Sequence, residues 1–334
     1  MKKELEIIKR IAGTLALPAA MYVIMLLLCH ANGKTYFGTW NMWKTLFVDI
    51  AISVSCAMGI GLQFKSGRFD FSGGSIMLIA AIVAGNMAKS HGNNIPLFML
   101  LCLGLCVILS VGVALVYVYG RLPIMIATIG MALFYEAITP QLFGGNGINL
   151  TANMTLRQFS SYPLVFLPFA GAVAVYAVYS YLAKSGKQGV LLANNQQAAV
   201  NIGINEKKNV IVSYVYSGLI FGFATMIYTS TGIHTASFSS LSTVGELFSN
   251  ILPVFVGLYI GAFCGDTIGI IMGSTSICLM TYGLEAVLEA EMGAAVSTAM
   301  MGIFVLLVNL VAGQSRNIKK VFQRLFAVHR QEHA

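Results

Sequence analysis

Residues 95–119 read IPLFMLLCLGLCVILSVGVALVYVY, without one charged side chain. A helix of that length covers the hydrocarbon core of a bilayer, which needs about 20 mostly apolar residues. Working outward, comparable apolar runs fall at 11–30, 43–64, 73–89, 122–142, 162–182, 209–230, 246–262, 265–283 and 294–313. The chain has 334 residues, 57% hydrophobic and 10% charged. Soluble proteins carry roughly 25% charged residues. Twenty Lys/Arg and twelve Asp/Glu cannot cover a water-facing surface of this size. The pattern predicts an all-α, polytopic membrane protein of about ten transmembrane helices, some broken or re-entrant, in one domain over 1–334. The run at 11–30 reads as the first span, because it exceeds a typical leader core and no A-x-A site follows.

The basic residues orient the spans. With residues 1–10 in the cytoplasm, the inside segments hold sixteen Lys/Arg and the outside loops only Lys34, Lys44, Lys89 and Arg157. Positive charge concentrates on the cytoplasmic side of membrane proteins. Both termini are therefore expected inside, with a cytoplasmic loop at 183–208 and a cytoplasmic tail at 314–334. The tail carries Ile318, Val321, Phe322, Leu325 and Phe326 at helical spacing and is expected to lie on the anionic inner leaflet. The net charge of +8 has its origin here and implies no nucleic acid.

Two stretches break the apolar pattern. Residues 59–75, GIGLQFKSGRFDFSGGS, join two spans and hold five glycines, Lys65, Arg68 and Asp70. Irregular backbone at membrane depth is tolerated only where protein or a water-filled cavity surrounds it. This stretch reads as a helix break beside a pathway. Residues 230–246 are hydroxyl-rich and lead into the eighth span through Glu246, a comparable break five spans later. Phe69, Asp70, Phe71, Ser72 and Ser75 are the leading pathway candidates, followed by Thr128, Glu246 and Asn250. Aromatic rings stack on sugar faces, and Asp or Asn hydrogen-bonds hydroxyls; the same groups suit a nucleoside. Charged residues inside spans are costly, so Asp70, Glu136 and Glu246 also suit an ion-coupled transporter. Glu285, Glu289 and Glu291 form an acidic cluster on the outside.

Enzyme signatures are missing: no phosphate-binding loop, no H-E-x-x-H and no G-x-S-x-G. Five scattered histidines and six cysteines, Cys29, Cys56, Cys102, Cys106, Cys264 and Cys278, form neither a metal site nor a disulfide framework. No cofactor is expected in this chain, and any nucleotide must bind to another. In the 183–208 loop, Ala, Gln and Leu favour a short helix that Gly203 stops.

Four stretches resemble one family in order. Residues 57–75 resemble the G-[IF]-D-L-S-x-G-S signature of the ribose-type permeases of ATP-binding cassette importers, within the monosaccharide and branched-chain amino-acid superfamily. Residues 120–131, GRLPIMIATIGM, are similar to their G-R-[LV]-P-x-F-I-A-T-L-x-M stretch. Asn195-Gln196-Gln197-Ala198-Ala199 with Gly203-Ile204-Asn205 is similar to their N-E-x-A-A-x-x-S-G-I-N loop, with Gln196 where the family has Glu. Val244-Gly245-Glu246-Leu247 matches G-x-E-L, whereas the later G-G-T-S run is reduced to residues 257–266. The resemblance implies a permease subunit in a bacterial inner membrane, forming the pathway for a simple sugar or similar solute. It implies a second permease subunit, the same or different, an extracytoplasmic solute-binding protein, and a cytoplasmic ATPase that binds ATP and Mg. The ATPase would dock on Asn194, Asn195, Gln196, Gln197, Ala198, Ala199, Gly203, Ile204 and Asn205.

Overall fold

The computed structural model describes residues 2–288, with residues 292, 296, 299, 302 and 303. The chain is a helical bundle: α1 (Lys2–Ala31), α2 (Trp40–Lys65), α3 (Gly73–Ser90), α4 (Ile95–Gly120) and α5 (Ile124–Ile138) come first. After the short α6 (Met154–Arg157) follow α7 (Phe166–Ala177), α8 (Lys184–Asn194), α9 (Gln196–Asn201), α10 (Glu206–Ser230), α11 (Val244–Cys264) and α12 (Asp266–Val287). Among the described residues, seven helices are long and apolar enough to cross a membrane. An eighth candidate is Phe166–Leu182 with Lys184–Asn194, bent by 67° at Ala183, and Phe248–Cys264 is a shorter apolar helix. The first nine apolar runs thus each fall on a helix. The tenth, 294–313, and the tail at 314–334 lie almost wholly outside the described residues, as do Glu289 and Glu291.

Local chemistry sets the helix ends. The Asn94 side chain accepts from Leu97 N–H at 3.0 Å, with Pro96 in the first turn of α4. Asn205 does the same for Lys208 at the start of α10. An N-cap change to Ala costs about 1 kcal/mol, so Asn94→Ala should lower stability by about that much in thermal unfolding of the detergent-solubilised chain. At the other end of α2, Gly67 adopts φ +73° and turns the chain, a conformation that glycine reaches without steric cost.

The core is organised by α10. It runs antiparallel to α4 and α2 and also touches α3 and α7. Gly218 and Gly222 form a small-x-x-x-small pair, which lets membrane helices approach closely. A Cβ added there would lie 2.7 Å from Val107 Cα and 2.8 Å from Leu103 Cα. Between α11 and α12 the same device appears on both helices, with Gly257 and Gly261 against Gly269 and Gly273. Lys65, the last residue of α2, ion-pairs with Asp266, which opens α12. Large apolar side chains such as Leu100 and Ile108 on α4 stay exposed, as surfaces facing hydrocarbon should.

At the far end from Lys65, residues 148–149 (β1) pair antiparallel with residues 233–234 (β2). Asn86 ties this cap to α3 by donating to the Gly147 carbonyl at 2.9 Å. His234 belongs to β2, and its ring lies 3.8 Å from that of Tyr228. None of the six cysteines is in a disulfide.

The 183–208 loop differs from the single short helix expected there. Helix begins earlier, at Lys184, and breaks at Asn195, whose extended backbone and side chain cap α9. An Asn side chain that competes for backbone N–H groups favours such a boundary over helix interior. Gly203 does end the second helix, at φ +89°. Leu192, Ala199 and Ile204 close the hairpin as a small apolar cluster.

A candidate translocation cavity

The broken stretch at 59–75 does not sit at the edge of the bundle. The Phe221 ring of α10 lies against both Gly59 of α2 and Gly73 of α3; added Cβ atoms would come within 2.6 and 2.7 Å of it. Gly59 precedes the end of α2 by six residues, about 9 Å of helix. The chain leaves α2 at Lys65 and runs back that far into the protein before α3 begins. A second segment enters from the opposite end. Residues 235–243 descend from β2 until the Thr243 carbonyl would lie 2.6 Å from a Cβ on Gly74. The two irregular segments meet there.

Beside this meeting point is a cavity of about 220 Å³. Its walls are Ile52, Cys56 and Ile60 of α2, Gly73, Gly74 and Met77 of α3, Phe221 and Tyr228 of α10, and Ser249 and Asn250 of α11. Among the described residues, no Asp, Glu, Lys or Arg lines it. Its polar groups are hydroxyls, a thiol, a carboxamide and backbone, set among apolar carbon, the usual make-up of a small-molecule site. Toward the Lys65 end, five rings form a chain of contacts. Phe255 meets Phe64 at 5.0 Å, Phe64 meets Phe69 at 5.6 Å, Phe69 meets Phe71 at 5.3 Å and Phe71 meets Phe248 at 6.0 Å.

The sequence candidates distribute unevenly around the cavity. Asn250 lines it. Phe69 and Phe71 belong to the aromatic chain that borders it. Asp70 is buried and turns away to the start of α3, where its Oδ1 accepts from Ser72 N–H at 2.8 Å and Ser72 Oγ–H at 2.6 Å. Ser75 is buried and donates to the Ser72 carbonyl. Thr128, in the first turns of α5, donates to the Met125 carbonyl at 3.2 Å. Glu246 lies in the first turn of α11, and its side chain falls outside the described residues. Arg68 does not pair with Asp70; it donates to Ser213 at 2.9 Å and Asn209 at 3.0 Å. Asn209 in turn donates to the Ser185 carbonyl of α8 at 2.8 Å, so the break and the 183–208 loop are joined through two side chains.

Glu136 has a more definite role than its sequence setting suggests. It is 2% exposed. Its carboxylate accepts from Leu241 N–H at 2.6 Å, Thr243 N–H at 2.8 Å and Thr243 Oγ–H at 2.5 Å. A carboxylate against free N–H groups at a helix start is favourable. Glu136 therefore pins the descending segment and the start of α11. Cys56, Phe221 and Tyr228 were not among the sequence candidates: each reads as an ordinary span residue, and only the helix packing brings them to one place.

Comparison with known proteins settles the family. Residues 42–307 match the family model described as "Branched-chain amino acid transport system / permease component". The chain belongs to this permease family. It is 23% identical over 291 residues to the galactose/methyl galactoside import permease protein MglC of Haemophilus influenzae, covering 79% of this chain and 85% of the relative. The fructose import permease protein FruG of Bifidobacterium longum is 22% identical over 280 residues, covering 77% and 80%. The galactofuranose transporter permease protein YtfT of Escherichia coli is 25% identical over 176 residues, 51% of each chain. No solved structure matches. Membership and the long apolar helices make this a multi-pass permease of the bacterial inner membrane, a transport component rather than an enzyme.

Proposed function

We propose that this permease forms the solute pathway of an ATP-driven sugar importer, through the cavity between α2, α3, α10 and α11. The observation that carries this reading is a cavity whose lining offers hydroxyl, carboxamide and ring surfaces and, among the described residues, no charged side chain. Such a lining suits a neutral polyol: each hydroxyl can exchange hydrogen bonds, while a charged solute would be stranded without a counter-ion. The relatives named for galactose and fructose import favour a monosaccharide. The five-phenylalanine chain acts as the closure on the cytoplasmic side. The cavity reaches the exposed surface at Ser249, next to Phe248, which is also exposed. That face fits a second permease subunit completing the pathway.

Energy comes from a cytoplasmic ATPase subunit that holds ATP and Mg and docks on the α8–α9 hairpin. Ile202, just past the end of α9, is 73% exposed, and Val200 of α9 and Leu191 of α8 are exposed too. Exposed apolar residues rimmed by polar ones mark partner surfaces. Motion of the hairpin reaches the 66–72 break through Asn209 and Arg68. In this reading both termini are cytoplasmic, ten spans cross the membrane, and an extracytoplasmic binding protein delivers the solute. An ion-coupled transporter is less well supported, because Asp70 and Glu136 are both engaged in holding backbone N–H groups.

Uptake of labelled galactose into vesicles holding this permease with its ATPase and binding protein tests the reading. Uptake should require internal ATP and ignore an imposed ion gradient. Ile202→Asp should leave the chain in the membrane and cut ATP-driven uptake by about tenfold, as loss of an interface anchor of about 1.4 kcal/mol would. Uptake driven by an ion gradient with no ATPase present would overturn it.

A further inference from the structure

A cavity of about 520 Å³ opens at the far end of the bundle from Lys65. Lys44, Thr45, Val48 and Asp49 of α2, Arg157 at the end of α6 and Thr231 just past α10 help to line it. It follows on from the solute cavity along the same two helices. On α2, Thr45, Val48 and Asp49 border the outer cavity, and Ile52, Cys56 and Ile60 border the inner one. Steps of three or four residues keep these side chains on one face of a helix. On α10, Tyr228 borders the inner cavity and Thr231 the outer, and the Thr231 hydroxyl donates to the Tyr228 carbonyl at 2.7 Å. An apolar layer lies between the two cavities. Val48 borders one and Ile52 the other, and both pack with Ala51, Val165 and Ile227 in one cluster. Apolar constrictions close a pathway by excluding water.

The outer cavity differs from the inner one in chemistry. Lys44 and Arg157 supply donors, and Asp49 supplies an acceptor. The hydroxyls of Thr45 and Thr231 each donate to a backbone carbonyl, which leaves their oxygens to accept. Glu285 of α12 stands near enough to act on the Asp49 charge, so both signs of charge are present. A hydrated polyol can exchange its water for such groups one hydrogen bond at a time. An ion of either sign would meet its like.

We propose that the outer cavity is a receiving site for the transported monosaccharide, and that the layer of Val48 and Ile52 is the barrier between it and the inner cavity. Its place on the outer side of the membrane rests on the pathway and orientation proposed above. The sugar enters still partly hydrated and is held by Asp49, Lys44, Arg157 and the two threonine oxygens. It loses its remaining water when the apolar layer between α2 and α10 parts, and it then meets the uncharged lining of the inner cavity.

The test uses the full chain in right-side-out vesicles, with native cysteines replaced by alanine and no ATP or binding protein. A charged thiol reagent that does not cross the membrane should label Thr45→Cys from outside. Galactose should slow that labelling saturably, about tenfold at about ten times the half-protecting concentration. Ser90→Cys, exposed at the same end on α3, should label at a rate that ignores galactose. With Cys56 kept as the single cysteine, labelling of the inner cavity should be slow. Val48→Ala should quicken it about tenfold, as a barrier lowered by about 1.4 kcal/mol would. Labelling of Thr45→Cys that ignores galactose, or that slows only when binding protein is added, would overturn the receiving site. Equal labelling of Cys56 with and without Val48→Ala would overturn the barrier. Neither measurement uses ATP, so uptake that ignores ATP would remove the proposed energy source and leave both results standing.

Discussion

Gly269→Ala should drive α11 and α12 apart. The added Cβ would lie 2.2 Å from the Gly257 carbonyl oxygen and 2.6 Å from Gly261 Cα. Both obstacles are backbone, so no side chain can swing aside. Overpacking in a core costs about 1–3 kcal/mol, occasionally more, and this contact belongs at the upper end of that range. The same change at Gly104 meets nothing within 4 Å. There, alanine should be neutral or stabilising by up to about 1 kcal/mol through helix propensity. Thermal unfolding of the two variants in one detergent separates them: a marked loss for Gly269→Ala and none for Gly104→Ala. Equal melting temperatures would mean that the glycine faces do not meet.

The second large effect is expected at Glu136. Glu136→Ala strands the N–H and hydroxyl of Thr243, which is itself buried. Each buried donor left unpaired costs about 1–3 kcal/mol, so about 3 kcal/mol or more should be lost. The start of α11 should then leave Gly74, taking Ser249 and Asn250 from the cavity wall. Sugar uptake should fall further than the amount of folded chain does. Glu136→Gln keeps one carbonyl oxygen as acceptor and should retain part of the uptake. Full uptake by Glu136→Ala would show that the descending segment is held by other contacts.

The positions of the helices were largely legible in the sequence, because a long apolar run has few other uses. Residues 95–119 lie within α4, and the run at 265–283 lies within α12 apart from Gly265, which precedes it. The two irregular segments were also legible as breaks, through Gly67, Gly73 and Gly74 in one and the hydroxyl run in the other. Directions were not legible. Asp70 is a polar residue in the right stretch, but its carboxylate turns to Ser72 because the free N–H groups at the start of α3 lie there. The spacing of Gly218 and Gly222 was visible, whereas their contact with α4 depends on an antiparallel register that no local pattern encodes. The same holds for Phe221, whose place between Gly59 and Gly73 requires α2 and α10 to be packed first. In the 183–208 loop the helix-forming residues hid the break at Asn195, which a side-chain cap decides.

The central claim is that solute passes between α2, α3, α10 and α11. Asn250→Cys, in a chain whose native cysteines are replaced by alanine, tests it most directly. With ATPase and binding protein present, the rate at which a small water-soluble maleimide labels residue 250 should rise on adding ATP. Saturating transported sugar should slow that labelling, and the label should block uptake. Labelling that is indifferent to both ATP and sugar, or a fully labelled permease that still imports at the unlabelled rate, would place the pathway elsewhere.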